Sequence, residues 1–76
     1  MYIFLYWGDG VALKNRLKEI RMTEYMMGQK EFAKMIKISN TTYCQWENGI
    51  CNPKLELAFT IAKKLNKKAD EIWYLE

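Results

Sequence analysis

The feature that most constrains this sequence is a pair of short helical patterns separated by two residues. The first pattern runs from Gln29 to Ile36 and the second from Ser39 to Asn48. Helices of this length are unstable in isolation, because forming the first turn fixes several residues for a single hydrogen bond. Each helix must therefore pack against the other and against the rest of the chain, which predicts a small helical domain.

The ends of the two helices carry local signals that support this prediction. Ser39 is the expected N-cap of the second helix, and Gly49 is expected to end it in a left-handed conformation. One apolar seam connects the helices through Phe32, Ile36, Ile38, Tyr43 and Trp46. Two short helices joined by a tight turn are typical of a helix-turn-helix motif, here residues 29–48.

Three further helical patterns flank this pair. One starts near Asp9 to Val11 and has one face formed by Leu13, Leu17, Ile20 and Arg21. Another is expected to start at Asn52-Pro53, with Asn as the cap and Pro as the first helical residue. Its apolar positions are Leu55, Ala58, Phe59, Ala62 and Leu65. A short last helix is predicted from Ala69 to about Tyr74.

These patterns predict an all-α fold of five short helices in a single domain, residues 11–76. Residues 1–10 precede it as an apolar N-terminal arm, which either covers the core or forms a short strand that pairs across a dimer. The apolar part of this arm spans only seven residues, whereas a membrane helix needs about 20. We therefore expect no membrane association and a cytoplasmic protein.

Composition excludes most catalytic and metal-binding classes. The chain has no His, the commonest general base and metal ligand, and its two Cys alone cannot fill a tetrahedral zinc site. Because no nucleophile–base pair or carboxylate dyad can be assembled, we expect no enzyme activity. We also expect no metal, cofactor or small-molecule ligand. The net charge of +3 is compatible with a polyanionic partner.

Three runs of the sequence are QKEFAKMIKISNTTYCQWENG, NPKLELAFTIAKKLN and DEIWYL. Together they resemble the XRE family, the Cro and phage-repressor type of helix-turn-helix proteins, and the resemblance extends from about Asn15 to Leu75. It implies a Cro-like fold and a sequence-specific regulator of transcription, with repression as the expected effect. The expected partner is double-stranded DNA, with helix 39–48 in the major groove.

The resemblance also implies roles for individual residues. The positions that match the family's base-reading residues are Asn40, Thr41, Cys44 and Gln45. The expected contacts to the DNA backbone are Gln29, Ser39, Thr42, Asn52 and Lys54. Amide side chains match the adenine edge, and this helix has no Arg to read guanine, so A·T-rich sites are expected. A structural ion pair is expected between Arg21 and Glu47.

The sequence departs from the family pattern at three places. Lys37 occupies a turn position that is often Gly, so a positive φ there would carry a penalty. Ile50-Cys51 follows Gly49 where the family often has Lys or Arg. The segment from Arg21 to Gln29 is one residue longer than the commonest spacing.

Two questions of assembly stay open at this point. One domain reads too few base pairs to select a site in a genome, so a homodimer on a near-palindromic operator is expected. Its apolar surface would come from the N-terminal arm or from the C-terminal cluster Ile72, Trp73, Tyr74 and Leu75. The alternative function is a protein-interaction module of the same fold, either antitoxin-like or a dimer scaffold.

Overall fold

The two ends of the described chain meet in a short antiparallel ribbon. A computed structural model describes residues 13–76, so the predicted arm and the predicted start of the first helix lie outside the described residues. Strand β1 (Leu13–Asn15) pairs with strand β2 (Trp73–Leu75), with Leu13 opposite Leu75 and Asn15 opposite Trp73. The Arg16 amide extends the pairing by donating to the Ile72 carbonyl at 2.8 Å.

Four α-helices lie between the two strands. Helix α1 (Leu17–Ile20) continues directly as a π-helical turn over Arg21–Tyr25. Helix α2 (Gln29–Met35) and helix α3 (Asn40–Glu47) form the helix-turn-helix pair, and helix α4 (Leu55–Lys64) follows. A 3-10 turn, Ala69–Glu71, leads into β2. No helix within residues 13–76 has the length and apolar character needed to cross a bilayer.

The described structure has four α-helices where the sequence predicted five. Residues 69–74, predicted as the fifth helix, form the 3-10 turn and the start of β2. Leu13, predicted on the buried face of the first helix, lies in β1 and is 42% exposed. Both errors have one cause, because each segment finds its backbone partners in the other strand. The all-α helix-turn-helix class still fits.

Helix α4 also differs from its prediction in two respects. It begins at Leu55 with Lys54 as its N-cap, so Asn52-Pro53 lies before the helix and not at its first turn. Its buried face consists of Ala58, Ile61, Ala62 and Leu65, whereas Leu55 and Phe59 are exposed. The buried stripe of α4 therefore includes Ile61 and is rotated away from Leu55 and Phe59 relative to the predicted stripe.

Three helices end in the same way, with one residue in the left-handed region. The residues are Lys37 after α2, Gly49 after α3 and Asn66 after α4, with φ of 63°, 74° and 58°. In each case the next amide bonds back to a carbonyl five residues earlier at 2.9 Å, from Ile38 to Ala33, Ile50 to Gln45 and Lys67 to Ala62. This Schellman arrangement satisfies the last carbonyls of each helix. It confirms the predicted conformation of Gly49.

The core forms where the helices and the ribbon meet. Its largest fully buried side chains are Leu17, Phe32, Ile36, Tyr43, Ile61 and Ile72. Phe32 lies at the centre of an aromatic group, 5.3 Å from the Tyr25 ring and 5.4 Å from the Tyr43 ring. Ile72 and Trp73 belong to this core, so half of the predicted C-terminal dimer cluster is already buried within one chain.

Candidate nucleic-acid interface

Helix α3 has one buried face and one polar face. Tyr43 and Trp46 are almost fully buried in the core. The opposite side carries the four predicted base readers, Asn40, Thr41, Cys44 and Gln45, which we call the reading face. Asn40 and Thr41 are exposed, and Cys44 and Gln45 are half-buried. The core contacts of Tyr43 and Trp46 thus hold uncharged amide, hydroxyl and thiol groups towards solvent.

The start of α3 is capped by a hydroxyl pair. Ser39 accepts the Thr42 amide at 3.2 Å, which confirms the predicted N-cap. The Ser39 hydroxyl donates in turn to the Thr42 hydroxyl oxygen at 2.8 Å. Within residues 13–76 no acceptor takes the Thr42 hydroxyl hydrogen, so Thr42 retains a donor for a ligand.

Gln29 links the start of α2 to the middle and end of α3. Its side-chain amide donates to Glu47 Oε1 at 3.0 Å, and its amide oxygen lies 3.2 Å from the Cys44 thiol, which donates to it. The same thiol is 3.7 Å from the Asn40 side-chain oxygen. A thiol has one hydrogen, so Cys44 can donate to Gln29 or to Asn40 at one time. Direct contacts therefore join Gln29, a predicted contact to the DNA backbone, to two predicted base readers, Cys44 and Asn40.

Arg21 and Glu47 form a bidentate ion pair beneath this group. Arg21 Nε lies 2.8 Å from Glu47 Oε2, and Arg21 Nη2 lies 3.3 Å from Glu47 Oε1. The two side chains are 10% and 3% exposed, and Arg21 Nη1 also donates to the Met27 carbonyl at 2.8 Å. The pair joins the π-helical turn after α1 to the last residue of α3, and it is the pair that the family resemblance implied.

The charges of this pair act on each other and on Tyr43. Burial alone raises the pKa of Glu47, but hydrogen bonds from Arg21 and Gln29 outweigh it and leave the pKa below its ordinary value. The hydrogen bond to Glu47 likewise raises the pKa of Arg21. Burial raises the pKa of Tyr43 far above its ordinary value, so the ring stays neutral. Because Arg21 compensates Glu47, the face of α3 carries no net charge.

The remaining predicted site residues lie after α3. Asn52 and Lys54 are both exposed, and neither side chain makes a hydrogen bond within residues 13–76. Gln45 is approached by the Cys51 thiol at 3.7 Å. The described structure therefore connects Cys51 to the reading face but leaves Asn52 and Lys54 in solvent.

Exposed lysines lie in the segments that precede and follow α3 in the chain. Lys30 and Lys34 lie on α2, Lys37 lies in the turn, and all three are exposed together with Lys54. Lysine side chains on flexible stems provide attraction to phosphate without fixed geometry.

Within residues 13–76 no three acidic, His or Cys side chains are grouped as a metal site requires.

Sequence reasoning missed one residue that contacts α3. The Asn15 side chain donates from Nδ2 to the Trp46 carbonyl at 2.8 Å, and its Oδ1 accepts the Leu17 amide at 3.1 Å. The second contact is an Asx turn, which an Asn two residues before a helix does indicate. The first contact joins residues 31 positions apart, and no local pattern predicts it.

Sequence comparisons match the chain to a family model and to similar proteins from two archaea. Residues 17–72 match a family model described as helix-turn-helix. Two proteins of Archaeoglobus fulgidus, both named uncharacterized HTH-type transcriptional regulator, are 34% and 31% identical over 64 residues, which cover 84% of this chain and 89% and 90% of theirs. A third protein named uncharacterized HTH-type transcriptional regulator, from Methanocaldococcus jannaschii, is 36% identical over 64 residues. These residues cover 84% of this chain and 96% of that protein.

Proposed function

The chain belongs to the XRE-type helix-turn-helix family, and from that premise we propose that it is a sequence-specific regulator of transcription that binds double-stranded DNA. The observation that carries the proposal is the division of α3 into a buried face and an uncharged polar reading face. A face made for solvent alone usually carries charges. Amides and hydroxyls are instead the groups that read base edges in the major groove.

The proposed base readers are Asn40, Thr41, Cys44 and Gln45. The amides of Asn40 and Gln45 each present a donor beside an acceptor, as adenine does in the major groove, and the Thr41 methyl suits a thymine methyl. Cys44 already contacts Gln29 and Asn40, so its role is to set the position of these amides as much as to touch a base. A preference for A·T pairs follows.

The proposed phosphate contacts lie around this face. Gln29 uses one amide hydrogen on Glu47 and keeps the second for a phosphate oxygen. Thr42 keeps its hydroxyl hydrogen, while Ser39 contributes through the cap that orients Thr42. The exposed Asn52 and Lys54 extend the contacts beyond α3. These contacts position the protein and supply affinity that depends on salt.

We further propose that residues 11–76 act as one domain, as a homodimer on a near-palindromic operator, and that the effect is repression. A single domain reads about four to six base pairs, which is too few to specify a genomic site. A compact domain that occupies an operator hinders access of other proteins to the same DNA, which favours repression over activation.

In vitro selection of bound duplexes from a random pool tests this function. We expect an A·T-rich motif, with half-sites related by two-fold symmetry. In the Gln45→Ala variant, preference should relax at one or two base pairs, by about 1–3 kcal/mol of discrimination at each. Thr60→Ala removes an exposed hydroxyl on α4 and serves as the matched control, with an unchanged motif expected.

Two results would contradict the proposal in different ways. A Gln45→Ala motif identical to that of the wild type would remove Gln45 from the base readers. An absence of binding to mixed duplex DNA at low salt, where phosphate contacts are strongest, would exclude DNA as the partner. That second result would favour the protein-interaction module.

A further inference from the structure

The geometry points to Asn15 as a positioning residue for base recognition. We propose that Asn15, which lies outside the helix-turn-helix motif, fixes the C-terminal end of α3 and thereby sets where the reading face lies in the groove. Asn15 itself is not proposed to touch DNA. This inference rests on the proposed function and assigns to β1 a part in its specificity.

The contact of Asn15 falls on the last turn of α3. Its Nδ2 donates to the Trp46 carbonyl at 2.8 Å, and the same carbonyl accepts the Gly49 amide at 3.1 Å. The Asn15 side chain is part-buried, so the bond is only partly replaced by water when it is lost. Next along the chain, Glu47 is held by Arg21 and Gln29. Hence the C-terminal end of α3 is fixed by side chains from three different elements.

The reading face begins at the other end of the same helix. Helix α3 has eight residues, so its length is about 12 Å at 1.5 Å per residue. Bidentate contacts to bases tolerate displacements of only about 0.5 Å or tilts of about 10–20°. A helix loosened at its last turn tilts around its buried side chains and displaces Asn40 and Thr41. Base discrimination is then reduced, while flexible lysine contacts to phosphate are retained.

The ribbon holds Asn15 in place for this contact. Asn15 pairs with Trp73, whose side chain is 8% exposed and belongs to the core. The neighbouring Arg16 donates its amide to the Ile72 carbonyl, and its guanidinium lies 4.2 Å from the Tyr74 ring centroid. Strand β2 thus contributes to the position of α3 indirectly, because it holds Asn15 of β1, and Asn15 makes the contact with α3.

Two substitutions separate the α3 contact from the local turn. Asn15→Asp keeps an oxygen that accepts the Leu17 amide but lacks the hydrogens that bond to Trp46. Asn15→Ser keeps a hydroxyl oxygen that can accept the Leu17 amide in an ST turn. The serine side chain is too short to reach the Trp46 carbonyl, and it adds no charge. Both variants therefore retain the turn before α1 and lose the same contact. Asn66→Asp adds the same charge as Asn15→Asp at an exposed position after α4 and is the matched control.

The first measurement is the ratio of affinities for the selected duplex and a scrambled duplex, at one salt concentration. We expect this ratio to fall about five- to tenfold in both Asn15 variants, the effect of losing one hydrogen bond, and to stay unchanged in Asn66→Asp. General destabilisation would lower both affinities together and leave the ratio unmoved. An unchanged ratio in the Asn15 variants would overturn the proposal.

The second measurement does not require DNA. Amide hydrogen exchange at Gly49 and Ile50, whose amides close the end of α3, should be about fivefold faster in both Asn15 variants than in wild type. Exchange within α2 should be unchanged. If wild type fails to discriminate between duplexes, the proposed function is wrong, and the exchange rates still decide whether Asn15 holds α3. Unchanged exchange at both amides would show that it does not.

Discussion

Glu47 is the residue on which the side chains around the reading face converge. Its carboxylate accepts from Arg21 and Gln29, and Gln29 in turn accepts from Cys44. A nearly buried charge of this kind is stabilising only while its partners remain, because removing one leaves the other uncompensated. The position of Gln29, a proposed phosphate contact, therefore depends on the charge of Glu47.

The lowered pKa of Glu47 gives a prediction for acid stability. Its contribution to the free energy of unfolding is complete above the unfolded-state pKa of about 4.3 and is lost as the pH falls through the lower folded-state pKa. Glu47→Gln should lower the free energy of unfolding by about 3 kcal/mol at pH 7. The difference from wild type should shrink below about pH 4, as measured by urea unfolding across pH.

An exposed carboxylate provides the control for this measurement. Glu56→Gln, on the exposed side of α4, should change the free energy of unfolding by less than about 0.5 kcal/mol at any pH. A Glu47→Gln deficit that stays constant down to pH 2 would show that the charge of Glu47 does not produce it.

At the scale of elements, the three Schellman endings contain one unfavourable residue. Gly49 adopts its positive φ without penalty, and Asn66 tolerates it, but Lys37 carries a Cβ that clashes with the backbone in this region. The sequence predicted that a positive φ at Lys37 would be costly, and φ there is 63°. Helix α2 therefore ends at some cost, and Ser39, the N-cap of α3, follows two residues after Lys37.

Lys37→Gly should accordingly stabilise the fold. The left-handed conformation costs a non-Gly residue about 1–2 kcal/mol, and the greater freedom of Gly in the unfolded chain offsets part of the gain. We expect a net increase of about 0.5–1 kcal/mol in the free energy of unfolding, measured by urea denaturation at pH 7. Lys34→Gly, inside α2, removes the same charge and should destabilise by about 1 kcal/mol. Destabilisation by Lys37→Gly would mean that the lysine side chain itself supports the turn.

Elements with local signals could be predicted from sequence, and the elements that depend on distant partners could not. The Ser39 cap and Gly49 mark the limits of α3. The spacing of Tyr43 and Trp46 identifies the buried face of α3, and the spacing of Phe32 and Ile36 identifies that of α2. The ribbon has no such signal, because a three-residue strand is defined only by its partner. The ion pair of Arg21 and Glu47 was expected from the family resemblance. The Asn15 contact, which depends on the ribbon, was not expected.

At the scale of the whole molecule, the surface beside the ribbon is apolar. Leu13 and Leu75 face each other across the ribbon and are 42% and 70% exposed. Leu13 also borders a groove of about 400 Å³, together with Pro53, Leu55 and Trp73. Of the predicted C-terminal cluster, Ile72 and Trp73 are buried, so the exposed Leu75, together with Leu13 and this groove, forms the region we propose for the homodimer. Exposed apolar patches of this kind usually mark interfaces.

A charged substitution at this surface tests the homodimer. Leu75→Glu should shift the proposed dimer towards monomer, because dimer formation would bury an unpaired carboxylate. Light scattering at micromolar concentration measures the mass. Phe59→Glu adds the same charge at another exposed apolar residue, 55% exposed, and should leave the mass unchanged. A wild-type protein that stays monomeric at high micromolar concentration, both free and on DNA, would contradict the proposed dimer.

The pairing of Leu13 with Leu75 has a consequence for the order in which the chain folds. Contacts within α2, the turn and α3 join neighbours in sequence, whereas the ribbon closes a loop of roughly 60 residues and carries a larger entropic cost. We expect the helical hairpin to form early and the ribbon to close last. During synthesis the nascent chain then exposes a formed but loosely anchored α3 until β2 has emerged. Competence for selective binding would arise in the final step of folding.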